Sequence, residues 1–440
     1  MGRRLNFFVP ILASTALFAG LAGCGAPANV STKEDPNAKI TLKVAWWGSQ
    51  DRNDRTQKVI QMFETKYPNI HIETEYAGFK DYWTKMATEA AGQSLPDVMQ
   101  MDYAYLGEYT SRKLVSPLDS YVQSGALNLK DADDPYIVGG KVNNQLFAVN
   151  LGANAPAVAI DPGAFEKAGI AIPKEGYTYD DMMNLTRQLK SKSGNSNFFP
   201  IDCNATSDSG LDFGYYLRQR GTSLYNKDGN GLGYTDDKLL VDFFTLDQAL
   251  VKEGLMAPPQ VLKGISSEPD TLLVKGNAAF HPFTSNLITA YSTYAKRPLQ
   301  LIPFPGYSGG QEGNYLKPSQ FFSVASSSKY KDAAVKFIDF FTNDLNANDI
   351  LLAERGVPIS SKVREHIMPK LDQATQQQFT YIEYVQKHSR PIDPPSPKGA
   401  SNVSDLFTRV QDSVLYGQVS PADAAKQFRT EATSILSSNK

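Results

Sequence analysis

From Ile40 to Trp46 the apolar positions Ile40, Leu42, Val44 and Trp46 alternate with Thr41, Lys43 and Ala45, the two-residue period of a half-buried strand. Val59, Ile60, Met62 and Phe63 then follow helical spacing within Arg55 to Lys66, and Tyr67-Pro68-Asn69 ends that helix. Ile70, Ile72, Thr74 and Tyr76 alternate again. Strand, helix and strand in so short a span predict a βαβ unit and therefore a parallel sheet. A further helix is expected over Tyr82 to Ala91, and a short strand over Val98 to Met101 after Leu95-Pro96-Asp97. Later strands are expected near 146–149, 157–160, 278–281, 299–304 and 321–324. Helices are expected near 179–190, 238–252, 331–342, 344–354, 405–416 and 421–437, the last two with apolar residues at three- and four-residue steps. No internal repeat is visible, and Pro391 to Pro397 is the one proline-dense stretch after the N-terminal region.

The first forty residues obey different rules. Arg3 and Arg4 precede an apolar run from Phe7 to Ala19 and the tetrapeptide Leu21-Ala22-Gly23-Cys24. This reads as a secretory signal, residues 1–23, ending in a lipobox, because the run is short for a bilayer span and small residues precede the cysteine. A lipid on Cys24 would hold the chain at the extracytoplasmic face of the cell membrane, since two acyl chains anchor stably where one does not. Residues 24–39 are polar and aperiodic, a flexible tether.

The remainder of the chain exceeds one ordinary core and predicts two α/β lobes. Lysine and arginine number 44 against 46 acidic residues, a net charge of −2 without a basic block, which argues against a nucleic-acid partner. With Cys24 committed to lipid, Cys203 is left without a disulfide partner and is expected as a small buried hydrophobe.

The order of several short stretches resembles the sugar-binding subunits of ATP-binding-cassette importers, extracellular solute-binding family 1. These are Trp46-Trp47-Gly48, Phe63-Glu64, Tyr67-Pro68-Asn69-Ile70, Leu95-Pro96-Asp97-Val98, Leu146-Phe147-Ala148-Val149, Lys275-Gly276-Asn277-Ala278-Ala279-Phe280, Lys331 to Phe337 and Arg355-Gly356-Val357-Pro358. Within that family, Trp46 to Arg52, Asp102-Tyr103-Ala104-Tyr105, Leu217-Arg218-Gln219-Arg220-Gly221 and Asp393-Pro394-Pro395 are most similar to members tied to pectin use, including rhamnogalacturonan-oligosaccharide binders. The resemblance implies a two-lobed periplasmic-binding-protein-like fold of type II, with ligand in the cleft and hinge closure around it. By analogy one lobe is 40–151 plus 302–343 and the other 152–301 plus 344–440. It also implies a monomer that needs no cofactor and hands an oligosaccharide to membrane permease subunits.

Ligands of open parallel sheets sit beyond the carboxyl ends of strands, which brings Trp47, Arg52, Asp102 and Tyr103 toward one cleft. A sugar's C–H faces call for aromatic plates and its hydroxyls for bidentate polar groups. Trp47 is expected to stack and Asp102 to accept from hydroxyls, although either Trp46 or Trp47 must pack inward. Trp83 divides between core and cleft wall, and Asp97 reads as a turn or cap residue. On the second lobe the candidates are Asn154, Tyr215 or Tyr216, His281, Phe283 and Asn286, with Gln320 beside a crossing; His281 is equally explained as a hydrogen-bonded structural histidine. If the sugar is acidic, Arg52 and Arg218 are the residues to pair with its carboxylate, unless they are simply solvated.

Other chemistry is weakly represented. Gly306-Tyr307-Ser308-Gly309-Gly310 fits G-x-S-x-G, but Gln311 to Asn314 do not read as the helix a nucleophile elbow needs. Asn226, Asp228, Asn230 and Asp237 approximate a calcium loop only weakly, lacking charge at the first position and having a short last ligand, and Asp228-Gly229-Asn230-Gly231 is also a common tight turn between strands. No HExxH or phosphate-cradling glycine loop is present. The expectation is a binding protein rather than an enzyme; a lipid-anchored polysaccharide-degrading enzyme or a surface carbohydrate sensor are the alternatives.

Overall fold

A computed structural model of the protein describes residues 39–202, 213–265 and 267–438. The signal, Cys24, the tether up to residue 38 and Cys203 lie outside the described residues. The βαβ unit forms as its spacing predicts: Ile40–Trp47 and Ile70–Ala77 pair in parallel, Ile40 opposite Ile70 and Trp46 opposite Tyr76, joined by the helix Gln50–Lys66. The full sheet runs Ile70–Ala77, Ile40–Trp47, Val98–Met101, Phe321–Val324, Val149–Asn150, and Phe321–Val324 is antiparallel to both neighbours.

Both faces of this sheet are covered. Val59, Phe63, Phe337 and Phe341 pack on one side, while Tyr82, Trp83, Met86, Leu106 and Tyr109 pack on the other. Strands covered twice lose their alternation, and from Val44 onward Val44, Ala45, Trp46 and Trp47 are all buried.

The second lobe is built on a three-stranded antiparallel sheet with Pro156–Ile160 between Gln300–Ile302 and Phe280–Thr284. Helices Tyr179–Ser193, Lys238–Lys252, Ala400–Leu415 and Pro421–Ser437 enclose its core, where Phe213, Phe243, Phe244 and Phe428 are buried. Between the sheets the chain crosses through Ala153–Asn154, paired antiparallel with Lys317–Pro318 and bridged to Val357.

Several elements differ from expectation. The strand expected at 146–149 is split, Gln145–Leu146 closing a small hairpin and Val149–Asn150 joining the main sheet. The lobe division by analogy sends the chain to the second lobe at residue 344, yet Leu345–Leu351 packs on Gln50–Lys66, and Ser361 N donates to Asp131 O at 2.7 Å. Asp344 explains this: it ends Lys331–Asn343 and caps the next helix, its side chain accepting from Asn346 and Ala347 N–H, so the chain turns without leaving the lobe. The helix Gln373–Lys387, rich in glutamine and threonine, escaped the hydrophobic pattern altogether.

Candidate functional site

Strand register aligns the ends that matter. Trp47 lies opposite Ala77, and the Val44–Val98 and Ala45–Met99 pairings bring Met101 level with Trp47. Gly48, Gly78 and Asp102 therefore leave the sheet along one edge. Gln320, which enters the antiparallel strand Phe321–Val324, and Leu151, which leaves Val149–Asn150, lie on that same edge.

Ser49 caps the helix after the first strand, and Arg52 occupies its first turn. The Arg52 side chain folds back over Gly48, where any Cβ would meet its Cδ at 2.2 Å. In that pose Nε donates to Glu354 Oε1 at 2.6 Å and Nη1 to the Trp47 carbonyl at 3.1 Å. The other oxygen of Glu354 takes Arg355 Nη1 at 3.1 Å. Arg355 also donates to Gln100 and Thr56 and lies over the Phe341 ring; burial lowers its guanidinium to about 9, a shift that Glu354 opposes. It still carries its charge at neutral pH. Two guanidiniums thus share one carboxylate, with one positive charge in surplus.

These groups line a polar compartment of about 390 Å³ with Asn154, Asn286, Thr289, Ser319, Gln320, Thr375 and Gln378. An adjoining compartment of about 640 Å³ shares Asn154, Asn286 and Ser319 and adds Asp102, Tyr103, Tyr215, Arg218, Tyr315, Lys317 and the strap Ile392 to Ser396. Residues of both sheets and of the crossing strands meet here, which makes this the cleft. Tyr103 donates its hydroxyl to the Asp393 carbonyl at 2.9 Å; burial, then the nearby Asp393 carboxylate, push its phenol up to about 12, so it remains a donor. Tyr215 donates to Asn314 Oδ1 at 2.8 Å, and Asn154 Oδ1 accepts from Gln378 at 3.3 Å.

The sequence model described as bacterial extracellular solute-binding protein matches residues 47–347. That is more than half of the chain. The chain belongs to the bacterial extracellular solute-binding proteins. A solved family 1 extracellular solute-binding protein from Alicyclobacillus acidocaldarius is 31% identical, with TM-score 0.82 over 92% of this chain and 100% of the other. A periplasmic oligogalacturonide binding protein from Yersinia enterocolitica superposes with TM-score 0.76 at 23% identity, over 91% and 99% of the two chains. A multiple sugar-binding protein of Streptococcus mutans is 23% identical over 83% of this chain and 85% of its own length.

Within this solute-binding protein the structure places eight expected residues on the cleft: Arg52, Asp102, Tyr103, Asn154, Tyr215, Arg218, Asn286 and Gln320. Three expectations need correction. Trp47 is buried against Tyr82, Trp83 and Phe79, because the doubly covered sheet buries both tryptophans of the pair. Phe283 is buried between His281 and Tyr291. His281 is buried, lines neither cleft compartment and has Nδ1 3.2 Å from the Asp202 carboxylate, although among the described residues no hydrogen bond forms at that nitrogen.

Two roles change among the residues that do reach the cleft. Asp102 caps the helix Tyr103–Ser111 through Oδ1, which accepts from Ala104 N at 2.8 Å; a cap of this kind contributes about 1 kcal/mol. Arg218 is saturated within the protein, donating to Gly313 O, Pro391 O and the Asp393 carboxylate while lying 4.8 Å over Tyr315. It clamps the strap and has little left for a ligand. Tyr216 packs in the core against Phe243 and Tyr307, and Trp83 stacks on Tyr105 at 3.8 Å.

Glu354, Arg355, Ser319, Tyr315 and Lys317 are cleft residues that no local pattern singled out, although Arg355-Gly356-Val357-Pro358 carried part of the resemblance. Gly356 sits at φ +91° with Asn154 Oδ1 3.1 Å from where a Cβ would stand, so only glycine permits that close approach. The Asn226 to Asn230 segment is a tight turn, with Asn226 donating to Asn230 Oδ1, and Asp237 pairs with Arg429. Among the described residues no three metal-ligating side chains converge. Ser308 lies in a turn, and no helix follows before Lys331, so the elbow geometry is missing. No helix of the described residues is long and apolar enough to cross a membrane.

Proposed function

We propose that this solute-binding protein captures an oligosaccharide bearing carboxylates, a uronide of the kind found in pectin, and delivers it intact to the permease of an ATP-driven importer. The observation that carries the reading is the compartment in which Arg52 and Arg355 share Glu354. Its surplus positive charge suits a carboxylate, and the surrounding Asn154, Asn286, Ser319, Gln320 and Gln378 offer donors and acceptors for hydroxyls. Tyr103, Tyr215 and Tyr315 in the adjoining compartment supply ring faces and phenol edges for the sugar ring. The names of the relatives, one for multiple sugars and one for oligogalacturonides, support the same ligand class.

Lobe closure would proceed about the crossings at Ala153–Asn154, Lys317–Pro318 and Val357, with a first lobe of about 40–150 plus 321–370 and a second of about 156–302 plus 373–437. Attachment through lipid on Cys24 belongs to the same reading, since a tethered trap keeps its cargo near the permease.

Calorimetric titration with galacturonate oligomers and with neutral xylan and starch oligomers tests it. The acidic series should bind, be recovered uncleaved, and lose affinity at least tenfold in Arg52→Met. Preference for a neutral series would reject the uronide assignment, and product formation would favour the polysaccharide-degrading enzyme.

A further inference from the structure

Val98–Met101 is the middle strand of the first sheet, and Gln100 on it is fully buried. A polar side chain in such a place is costly unless its groups are paired. Both groups of this amide are paired. Nε2 donates to the Trp47 carbonyl at 3.1 Å, and Oε1 accepts from Arg355 Nε at 3.3 Å. The strand is held at the same residue, since the Tyr82 hydroxyl donates to the Gln100 carbonyl at 2.6 Å.

These bonds complete a circuit. Arg355 Nη1 donates to one oxygen of Glu354 at 3.1 Å, Arg52 Nε donates to the other at 2.6 Å, and Arg52 Nη1 returns to the Trp47 carbonyl at 3.1 Å, where Gln100 closes it. Thr56 ties the two arginines a second time, its hydroxyl accepting from Arg355 Nη2 at 2.9 Å and donating to the Arg52 carbonyl at 2.7 Å. Every side-chain nitrogen of Arg355 is thereby spent. Of the two guanidiniums, only Arg52 keeps a nitrogen, Nη2, without an acceptor among the described residues, and Arg52 lines the polar compartment.

Only an amide meets both demands at position 100. A carboxylate would set an oxygen against the Trp47 carbonyl, and an aliphatic side chain would leave that carbonyl and Arg355 Nε each short of a partner. Gln100 itself lines neither compartment. A long side chain that is already fixed loses less freedom on meeting a ligand than a mobile one.

We propose that Gln100 is a positioning residue for ligand binding: it holds Arg52 and Arg355 in the circuit, so that Arg52 Nη2 is set to donate to a ligand carboxylate. This role rests on the carboxylate-bearing ligand proposed above.

The test titrates the full chain by calorimetry with galacturonate trimer and with its methyl ester, which keeps the hydroxyls and removes the charge. Wild type should prefer the acid by about tenfold or more. Gln100→Met, similar in volume but without the amide, and Gln100→Glu, which keeps the acceptor for Arg355 and loses the donor for Trp47, should each cut that preference by about fivefold or more. In an Arg52→Met background neither change should reduce it further, because Gln100 acts through Arg52. If Gln100→Met shows no thermal unfolding transition, Gln100→Glu decides by the same comparison. Equal losses for acid and ester, no loss, or a loss that persists undiminished without Arg52 would leave Gln100 a core residue only and overturn the positioning role. A wild type that does not prefer the acid, or binds neither compound, rejects the uronide reading and this role with it, an outcome visible before any variant is made.

Discussion

The Tyr103 hydroxyl donates to the Asp393 carbonyl oxygen at 2.9 Å, joining the start of the helix Tyr103–Ser111 to a proline-rich strap 290 positions later in the chain. The strap connects Gln373–Lys387 to Ala400–Leu415, a helix of the second-lobe core, so this bond spans the cleft. Tyr103→Phe removes one neutral hydrogen bond, worth about 1 kcal/mol. Ligand should then dissociate about fivefold faster with association unchanged, as read by stopped-flow release. An unaltered release rate would show that the bond does not help hold the lobes closed.

Arg218 is expected to act on stability rather than on ligand charge. Its side chain is 5% exposed and its donors are spent on Gly313 O, Pro391 O and Asp393. Arg218→Met should lower the unfolding free energy by about 2 kcal/mol, because buried carbonyls lose their donor. Acidic and neutral ligands should weaken alike. Selective loss of uronide binding at unchanged melting temperature would restore the carboxylate-pairing role.

Burial pushes the Asp247 carboxyl up to about 7, against the opposing hydrogen bond from Gln411 Nε2 at 2.6 Å. In the unfolded chain the same group titrates near 4. Between about pH 4 and 7 the folded state keeps a proton that the unfolded state has released, so this group's contribution is full below pH 4 and lost as pH rises through 7. The loss is on the order of a few kcal/mol. Asp247→Asn should flatten that slope and raise the melting temperature at pH 8 relative to wild type, as followed by calorimetry at several pH values. An unchanged slope would mean that Asp247 is already ionised throughout.

Cys24→Ser should leave ligand affinity intact while releasing the protein from membranes, as fractionation and calorimetry would show. Affinity lost together with retention would contradict the separation of anchor from trap.

Much of the frame was readable before the fold. The period of Ile40 to Tyr76 marked strand, helix and strand, since side chains at two- and 3.6-residue repeats must share a face to be buried together. Arg52, Asp102 and Asn154 were legible as cleft residues because strand ends and crossings locate them. Trp47 and Phe283 were not: alternation separates faces only when one face meets water, and both the end of Ile40–Trp47 and the strand Phe280–Thr284 are buried at consecutive positions.

The chain's own pattern therefore determined the α/β class, the opening βαβ unit and the residue stretches at which a cleft forms, because these follow from local periodicity and strand direction. Tertiary structure alone decided which carboxylate each arginine meets. Arg52 reaches Glu354 across 302 positions and Arg218 reaches Asp393 across 175, and no local spacing encodes pairs so distant. Whether a guanidinium meets a ligand or is spent on the protein depends on which acceptors the folded chain brings within hydrogen-bonding distance.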